Sequence, residues 1–352
     1  MKIDVLFKRA VDMGASDVHL RAGIPPILRI DGRLRRQEDF SVLTNDDAME
    51  MLEQIASQEQ RNRLFAEKEL DFAYAFGSSA RFRINAMWQR RMLSIACRLL
   101  PFAIPSIDEL ELPQICKDLI LQPRGLILVT GPTGVGKSTT MAAMIRHLNE
   151  NRDCNVICIE DPIEYQHQNI KSIIAQRELG EDTNSFHAGL VRALRHDPDV
   201  IVVGEMRNLD TISAAITAAE TGHLVMSTLH TTDAVQTIDR MIDVFPPNQQ
   251  SQIRLQISQE ILAILSQTLL PRASGKGRIA AFEIVLSNPS IRTLIREGRT
   301  YEIPTYMRIH PEAGVQSLDD ALAFMIRTHK VTREAAMRKA SDPKRLAKLL
   351  AS

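Results

Sequence analysis

An α/β protein in two parts is predicted: a smaller α+β domain, followed by an α/β domain with a largely parallel sheet. Three observations carry this reading. The chain has 352 residues, more than one hydrophobic core usually organises, so a length prior favours two domains. Pro101, Pro105 and Pro113 interrupt any regular element between Leu100 and Pro113, which sets a first domain at 1–100, a linker at 101–115 and a second domain at 116–352. Beyond that linker, apolar strand candidates alternate with helical segments, the pattern of a parallel sheet with crossover helices.

In the first domain, Val5, Leu6, Ala10 and Val11 recur at helical spacing. Asp17–Leu20 and Ile27–Ile30 read as short strands, the second followed by an Asp31-Gly32 turn. Asp46–Ala66 reads as one helical segment. Ala80–Ala86 alternates apolar and polar residues as a half-buried strand does, so Arg81 and Arg83 share a face, and Arg98 lies across the next strand.

In the second domain each strand delivers polar residues at its C-terminal end. Leu126–Val129 leads into a glycine-rich loop, Val156–Ile159 into Glu160-Asp-Pro-Ile-Glu164, Val200–Val203 into Gly204-Glu-Met-Arg207, and Leu224–Leu229 into His230-Thr-Thr232. Ligands of open α/β sheets bind in the crevice beyond the strand C-termini, so these motifs are expected to converge on one ligand.

The loop itself, Gly131-Pro-Thr-Gly-Val-Gly-Lys-Ser138, fits G-x-x-x-x-G-K-[ST] directly after a strand. Glycines let consecutive backbone N–H groups turn inward around phosphate oxygens, Lys137 supplies a point charge for the β and γ phosphates, and Ser138 can ligate Mg²⁺. Gly131, Thr133, Gly134, Val135, Gly136, Lys137, Ser138 and Thr139 are therefore the expected nucleotide-binding residues. Glu205 stands where a carboxylate can hold Mg²⁺ through water or orient the attacking water. Of the acids around Pro162, Glu164 lies furthest into the loop and is the candidate to accept the proton of that water; Glu160 can instead touch metal-bound water. His230, at the C-terminal end of its strand, belongs to the nucleotide side, whereas His223 sits at the opposite end. Phosphoryl transfer normally needs a further cation on the γ phosphate, for which Arg83 and Arg98 are the candidates. Ser290–Glu297 puts Ile291, Leu294 and Ile295 on one helical stripe, with Arg292, Arg296 and Glu297 outside it.

Bulk composition narrows the classes. Hydrophobic residues at 44% and charged residues at 24% argue against general disorder. Lys plus Arg equals Asp plus Glu at 43 each, and aromatics are only 5%, so a nucleic-acid partner is not expected, although Arg33–Arg36 and Arg90-Arg91 form local basic patches. The first residues interrupt their apolar positions with charges, unlike a signal peptide, and no apolar stretch is long enough to span a bilayer. A cytoplasmic protein without membrane insertion is expected. Cys97, Cys116, Cys154 and Cys158 form no CxxC pair, which supports neither a zinc site nor a disulfide framework.

These residues together resemble the bacterial secretion ATPases, and among them the type IV pilus retraction ATPases of the PilT type. The resemblance runs over nearly the whole length. It rests on Ala15-Ser-Asp-Val-His-Leu20, Gly131–Thr139, Ile159-Glu-Asp-Pro-Ile-Glu-Tyr165, Gly204-Glu-Met-Arg207 and Thr221–Thr231. Ser290–Glu297 is similar to the AIRNLIRE motif that such motors need, with Ser290 at its start and Thr293 in place of Asn. The resemblance implies a PAS-like N-terminal domain joined flexibly to a RecA-like ATPase domain, and a homohexameric ring with nucleotide between subunits. It implies ATP as substrate, Mg²⁺ as cofactor, and work on an inner-membrane platform protein, with an accessory retraction ATPase as a further partner. The expected location is cytoplasmic and peripheral, at the inner-membrane base of the pilus. Pilus-extension and type II secretion ATPases usually carry a longer N-terminal region and a four-cysteine zinc element, neither of which this sequence displays. That favours retraction and leaves open an accessory motor of the PilU type, an extension or DNA-uptake ATPase, and a nucleotide-gated regulator with little turnover.

Overall fold

The computed structural model describes residues 2–30, 32–77, 80–100, 103–311 and 314–351. Asp31 of the expected turn and Pro101 of the expected linker lie outside the described residues. The chain divides into two compact units, Met1–Ala103 and Ile104–Ser352.

The first unit is an α+β layer. Strands β1 (Asp17–Arg21), β2 (Ile27–Ile30), β3 (Arg33–Arg36), β4 (Glu69–Phe76), β5 (Ala80–Gln89) and β6 (Met92–Leu100) form an antiparallel sheet in the order β3-β2-β1-β6-β5-β4. Helix Ile3–Asp12 buries Ile3, Leu6, Phe7 and Ala10 on one face of that sheet, and Phe7 stacks on Phe82 with ring centroids 3.9 Å apart. Alternation along β5 puts Phe82 and Ile84 into this core and leaves Arg81 and Arg83 on the opposite side. The expected single helix over Asp46–Ala66 is instead two, Asn45–Ile55 and Gln58–Glu67. The physical reason is a capping box: Ala56 is extended, the Ser57 hydroxyl accepts the Gln60 N–H, and the Gln60 side chain accepts the Ser57 N–H.

The second unit is the expected α/β domain. Strands β7 (Gly125–Thr130), β8 (Asn155–Glu160), β9 (Ile173–Glu178), β10 (Val200–Val203), β11 (Leu224–Leu229), β12 (Ile261–Pro271) and β13 (Arg278–Leu286) run in the order β13-β12-β7-β11-β10-β8-β9, all parallel to their neighbours except β13. β7, β10 and β11 are buried at every position because both faces are covered. Ile127, Val129 and Met226 pack on Met141, Met144 and Leu148 of helix Lys137–Asn151. Leu126, Leu128, Ile201 and Val225 pack on the other side with Ile212, Ile216, Ile238 and Ile257 of the remaining helices. From Ile104 onward the segment read as linker belongs to this unit: Ile107 and Leu112 are buried in its core, and Glu111 accepts from Arg272 at 2.6 Å and Lys330 at 2.5 Å. Helix Pro289–Arg296 buries Ile291, Leu294 and Ile295, as its periodicity predicts. All four cysteines are free thiols.

Candidate functional site

The glycine-rich loop connects β7 to the helix that starts at Lys137. Gly131 has φ +140°, and a Cβ there would stand 2.5 Å from the Gln267 carbonyl oxygen, so a larger residue cannot occupy the position without moving β12. Gly136 takes φ +92° at the helix N-cap. Lys137 is buried and folds back over the loop, its ammonium donating to the carbonyls of Gly131 at 2.7 Å and Pro132 at 3.1 Å. Burial lowers the Lys137 pKa, while the carboxylates of Glu205 and Glu164 act against that shift. Ser138 is exposed, and the Thr139 hydroxyl lies 3.0 Å from that of Tyr165.

Two further strand ends meet this loop. The Glu205 side chain, 17% exposed after β10, is held between Arg207 Nε at 2.7 Å and His230 Nε2 at 3.2 Å. Its backbone is set by β11: Thr228 donates its hydroxyl to the Gly204 carbonyl at 2.6 Å, and the Met206 N–H donates to the Thr228 carbonyl at 3.1 Å. His230 in turn places Nδ1 3.5 Å from Lys137 Nζ and 3.4 Å from the Thr133 hydroxyl. An ammonium can only donate and a carboxylate can only accept, so these partners fit a ring that accepts at Nδ1 and carries its proton on Nε2. Lys137, Glu205 and His230 thus form one chain of contacts across the ends of β7, β10 and β11. His223, at the other end of β11, lies with Nδ1 2.9 Å from the Ala218 carbonyl oxygen and plays no part in this cluster.

The acidic turn after β8 splits into different environments. Glu160 accepts from Gln176 Nε2 at 2.8 Å, and the same amide donates to the Tyr165 carbonyl at 2.7 Å, tying the turn to β9. Glu178, buried on β9, accepts the Ile163 N–H at 3.2 Å. Glu164 is half-buried, and its charge bears on Lys137.

Arg83 and Arg98 belong to the first unit, where they face each other directly across β5 and β6. Sheet register puts Arg29, Asp17, Arg98 and Arg83 in one row on the face opposite that unit's core. Arg98 pairs with Asp17 at 3.1 Å, and Arg83 with Asp71 at 3.7 Å. Burial pushes the Asp17 carboxyl up, but hydrogen bonds from Ser16 and Arg98 outweigh it and hold the group below the usual range.

Among the described residues no cluster of three or more His, Cys, Asp or Glu side chains is grouped to hold a metal ion. Magnesium needs no such cage, because it keeps most of its waters and uses one or two protein oxygens beside a substrate's phosphates. The exposed Ser138 hydroxyl at the start of the helix and the Glu205 carboxylate beyond the adjacent strands are hard oxygen donors of that kind. Several residues of the site escaped the sequence reading. Gln267 supports the loop from β12, far away in sequence, and no spacing announces it. Arg207 and Tyr165 lie inside the Gly204–Arg207 and Ile159–Tyr165 motifs, where their polar heads beside Glu205 and Glu164 are the available signal.

Residues 1–300 match the model of the Type II/IV secretion system protein family. The chain is 42% identical to the type IV pilus retraction ATPase PilT of Pseudomonas aeruginosa over 343 residues, covering 97% of this chain and 99% of that protein. It is 38% identical to the type IV pilus ATPase PilU of the same organism, over 96% of this chain and 88% of that one. The fold superposes on a crystal structure of the pilus retraction motor PilT with bound ADP at a TM-score of 0.93, with 44% identity and 99% of each chain covered. Among the described residues no helix is long and apolar enough to cross a membrane.

Proposed function

The chain belongs to the type II/IV secretion system protein family, and from that premise we propose that it is a Mg²⁺-dependent ATPase whose hydrolysis drives retraction of a type IV pilus. The observation that carries this is the contact chain Lys137–His230–Glu205 across three strand ends, built around a phosphate loop in a protein 42% identical to a retraction ATPase along nearly its whole length. In this reading the motor is a homohexamer at the cytoplasmic face of the inner membrane, acting on a platform protein at the pilus base. Pilin subunits return to the membrane as it turns over.

The loop N–H groups of Gly134 to Thr139 bind the phosphates, and Lys137 exchanges its contacts with the Gly131 and Pro132 carbonyls for phosphate oxygens. Ser138 and Glu205 would hold Mg²⁺, which would neutralise charge on the phosphate oxygens. Glu164 accepts the proton of the attacking water, and Glu160, whose carboxylate accepts from Gln176, would touch metal-bound water. His230 touches both Lys137 and Glu205, so a change at the phosphates alters its two hydrogen bonds together. Arg83 and Arg98 of a neighbouring subunit supply the further positive charge.

The test is ATP turnover of the purified protein with and without Mg²⁺, beside Lys137→Ala and Glu164→Gln, with oligomer size read by light scattering on the same samples. Expected are a hexamer with Mg²⁺-dependent turnover and a loss of about 10³-fold in each variant. Full turnover in either variant removes the proposed chemistry; nucleotide binding without turnover in the wild type points to a nucleotide-gated regulator. The 38% identity to PilU favours one second reading, an accessory motor. Cells lacking this protein are expected to be piliated and unable to twitch; twitching that persists without it assigns the accessory role.

A further inference from the structure

Gln267 lies within β12, one residue past Ser266, which makes the last pairing of β12 with β7 at Thr130. It is 3% exposed. The phosphate loop is folded around it. Its Nε2 donates to the Val135 carbonyl at 2.6 Å, and its Oε1 accepts the Thr140 hydroxyl at 2.8 Å. Its own carbonyl oxygen would be 2.5 Å from a Cβ on Gly131, and its Nε2 would be 3.2 Å from one on Gly136. The amide orientation is settled by its partners, since a carbonyl can only accept and therefore faces the NH₂ group.

We propose that Gln267 is a positioning residue for the nucleotide, holding the Val135 carbonyl under the loop so that the Gly136 N–H is aimed out of it at a phosphate. The argument is the geometry of the peptide group. A trans peptide is planar, with its C=O and N–H pointing in opposite directions. Fixing the Val135 oxygen on a buried amide therefore fixes the next N–H on the other side, away from β12. Without Gln267, the Val135–Gly136 peptide loses the contact that fixes it while the φ of Gly136, on one side of it, keeps a glycine's freedom, and the donor must be re-ordered each time phosphate binds. The Thr140 bond serves to orient the amide and is not itself aimed at the ligand.

This inference rests on the nucleotide-binding reading and is tested by ADP titration calorimetry on the full-length protein. Gln267→Met keeps the side-chain volume and removes the donor; ADP affinity is expected to fall about tenfold or more, corresponding to one lost pre-aimed hydrogen bond. Thr140→Val removes the other bond and is expected to cost less than about threefold, since the donor remains. Gln267→Glu gives a readout that loss of packing alone does not produce: its carboxyl donates to Val135 only when protonated, so its affinity relative to wild type at the same pH recovers as pH falls. Thermal unfolding of the nucleotide-free variants accompanies each titration. Two results overturn the proposal: ADP binding by Gln267→Met within about twofold of wild type, or affinity losses that follow the loss of nucleotide-free stability equally in the Met and Val variants. If the wild type does not bind ADP, the nucleotide-site reading fails, which is a separate outcome.

Discussion

Both units present charged side chains along one side of a β-sheet, but they hold them in different ways. At the strand ends of the larger sheet, Lys137 is buried against two carbonyls, and Glu205 is gripped between Arg207 and His230. On the face of the smaller sheet opposite its own core, Arg98 is 69% exposed while its partner Asp17 is 14% exposed, and Arg83 reaches Asp71 only at 3.7 Å. Buried charges must find partners within their own unit, whereas exposed pairs are worth little and can be exchanged for others. The larger unit carries a pre-organised constellation; the smaller one carries arginines whose heads lie partly or largely in water, with Ser16 and Arg29 left to hold Asp17 if Arg98 turns to a ligand or another subunit.

The largest effect expected from this contrast concerns the exchangeable cations. If Arg83 and Arg98 serve the γ phosphate of a neighbouring subunit, Arg98→Ala and Arg83→Ala lower ATP turnover by about 10²-fold or more while ADP affinity and hexamer size stay near wild type. Turnover, calorimetry and light scattering on the same preparations check this. Unchanged turnover in both variants would reduce the face to an ordinary solvated sheet.

Legibility in the sequence follows the same divide between local and distant causes. The phosphate loop and the four strand ends were readable because each is a short apolar run followed at once by polar residues. Lys137, Glu205 and His230 could be placed at one edge from strand order logic alone. Gln267 could not, because its partners Val135 and Thr140 lie 132 and 127 residues away. In the first unit β3 shows in the sequence only as a basic patch, since all four of its residues are exposed and no apolar alternation marks it as an edge strand. The break between the two helices around Ser57 was written in the sequence as Ser57-x-x-Gln60, a local signal overridden in the reading by the helical periodicity on both sides.

A smaller effect is expected from Glu283, the half-buried counterpart to the exchangeable charges. Burial raises its carboxyl to about 7, against a hydrogen bond from the Ala234 N–H and with the charges of Asp233 and Asp319 adding to the rise. The unfolded chain ionises this group near its ordinary 4.5, so between there and about 7 the native state holds the extra proton. Its contribution to stability is therefore complete below the unfolded value and lost as pH climbs through the folded one. Glu283→Gln keeps an acceptor for Ala234 and removes the ionisation; it is expected to be more stable than wild type at pH 8, by on the order of 2 kcal/mol, with the gap closing toward pH 4.5. Urea unfolding at a series of pH values reads this, and parallel curves for the two proteins would show that Glu283 does not titrate on folding.

The smallest effect sits on the exposed face and is the sharpest check of the contrast. Asp71 accepts from Asn85 Nδ2 at 3.2 Å and faces Arg83, with both members of the ion pair largely in water. A pair of that kind contributes about 0–1 kcal/mol, and salt screens it further. Asp71→Ala is thus expected to shift the urea midpoint of the first unit hardly at all, and less still at high salt. Because the substitution leaves Arg83 without its in-sheet carboxylate, turnover should stay at or slightly above the wild-type level if the arginine works on phosphate. A stability loss above about 2 kcal/mol would mean that this face is held together by its own charges. Arg83 would then not be available for exchange, and the division between a pre-organised unit and a receptive one would fail at the residue where it is most exposed to test.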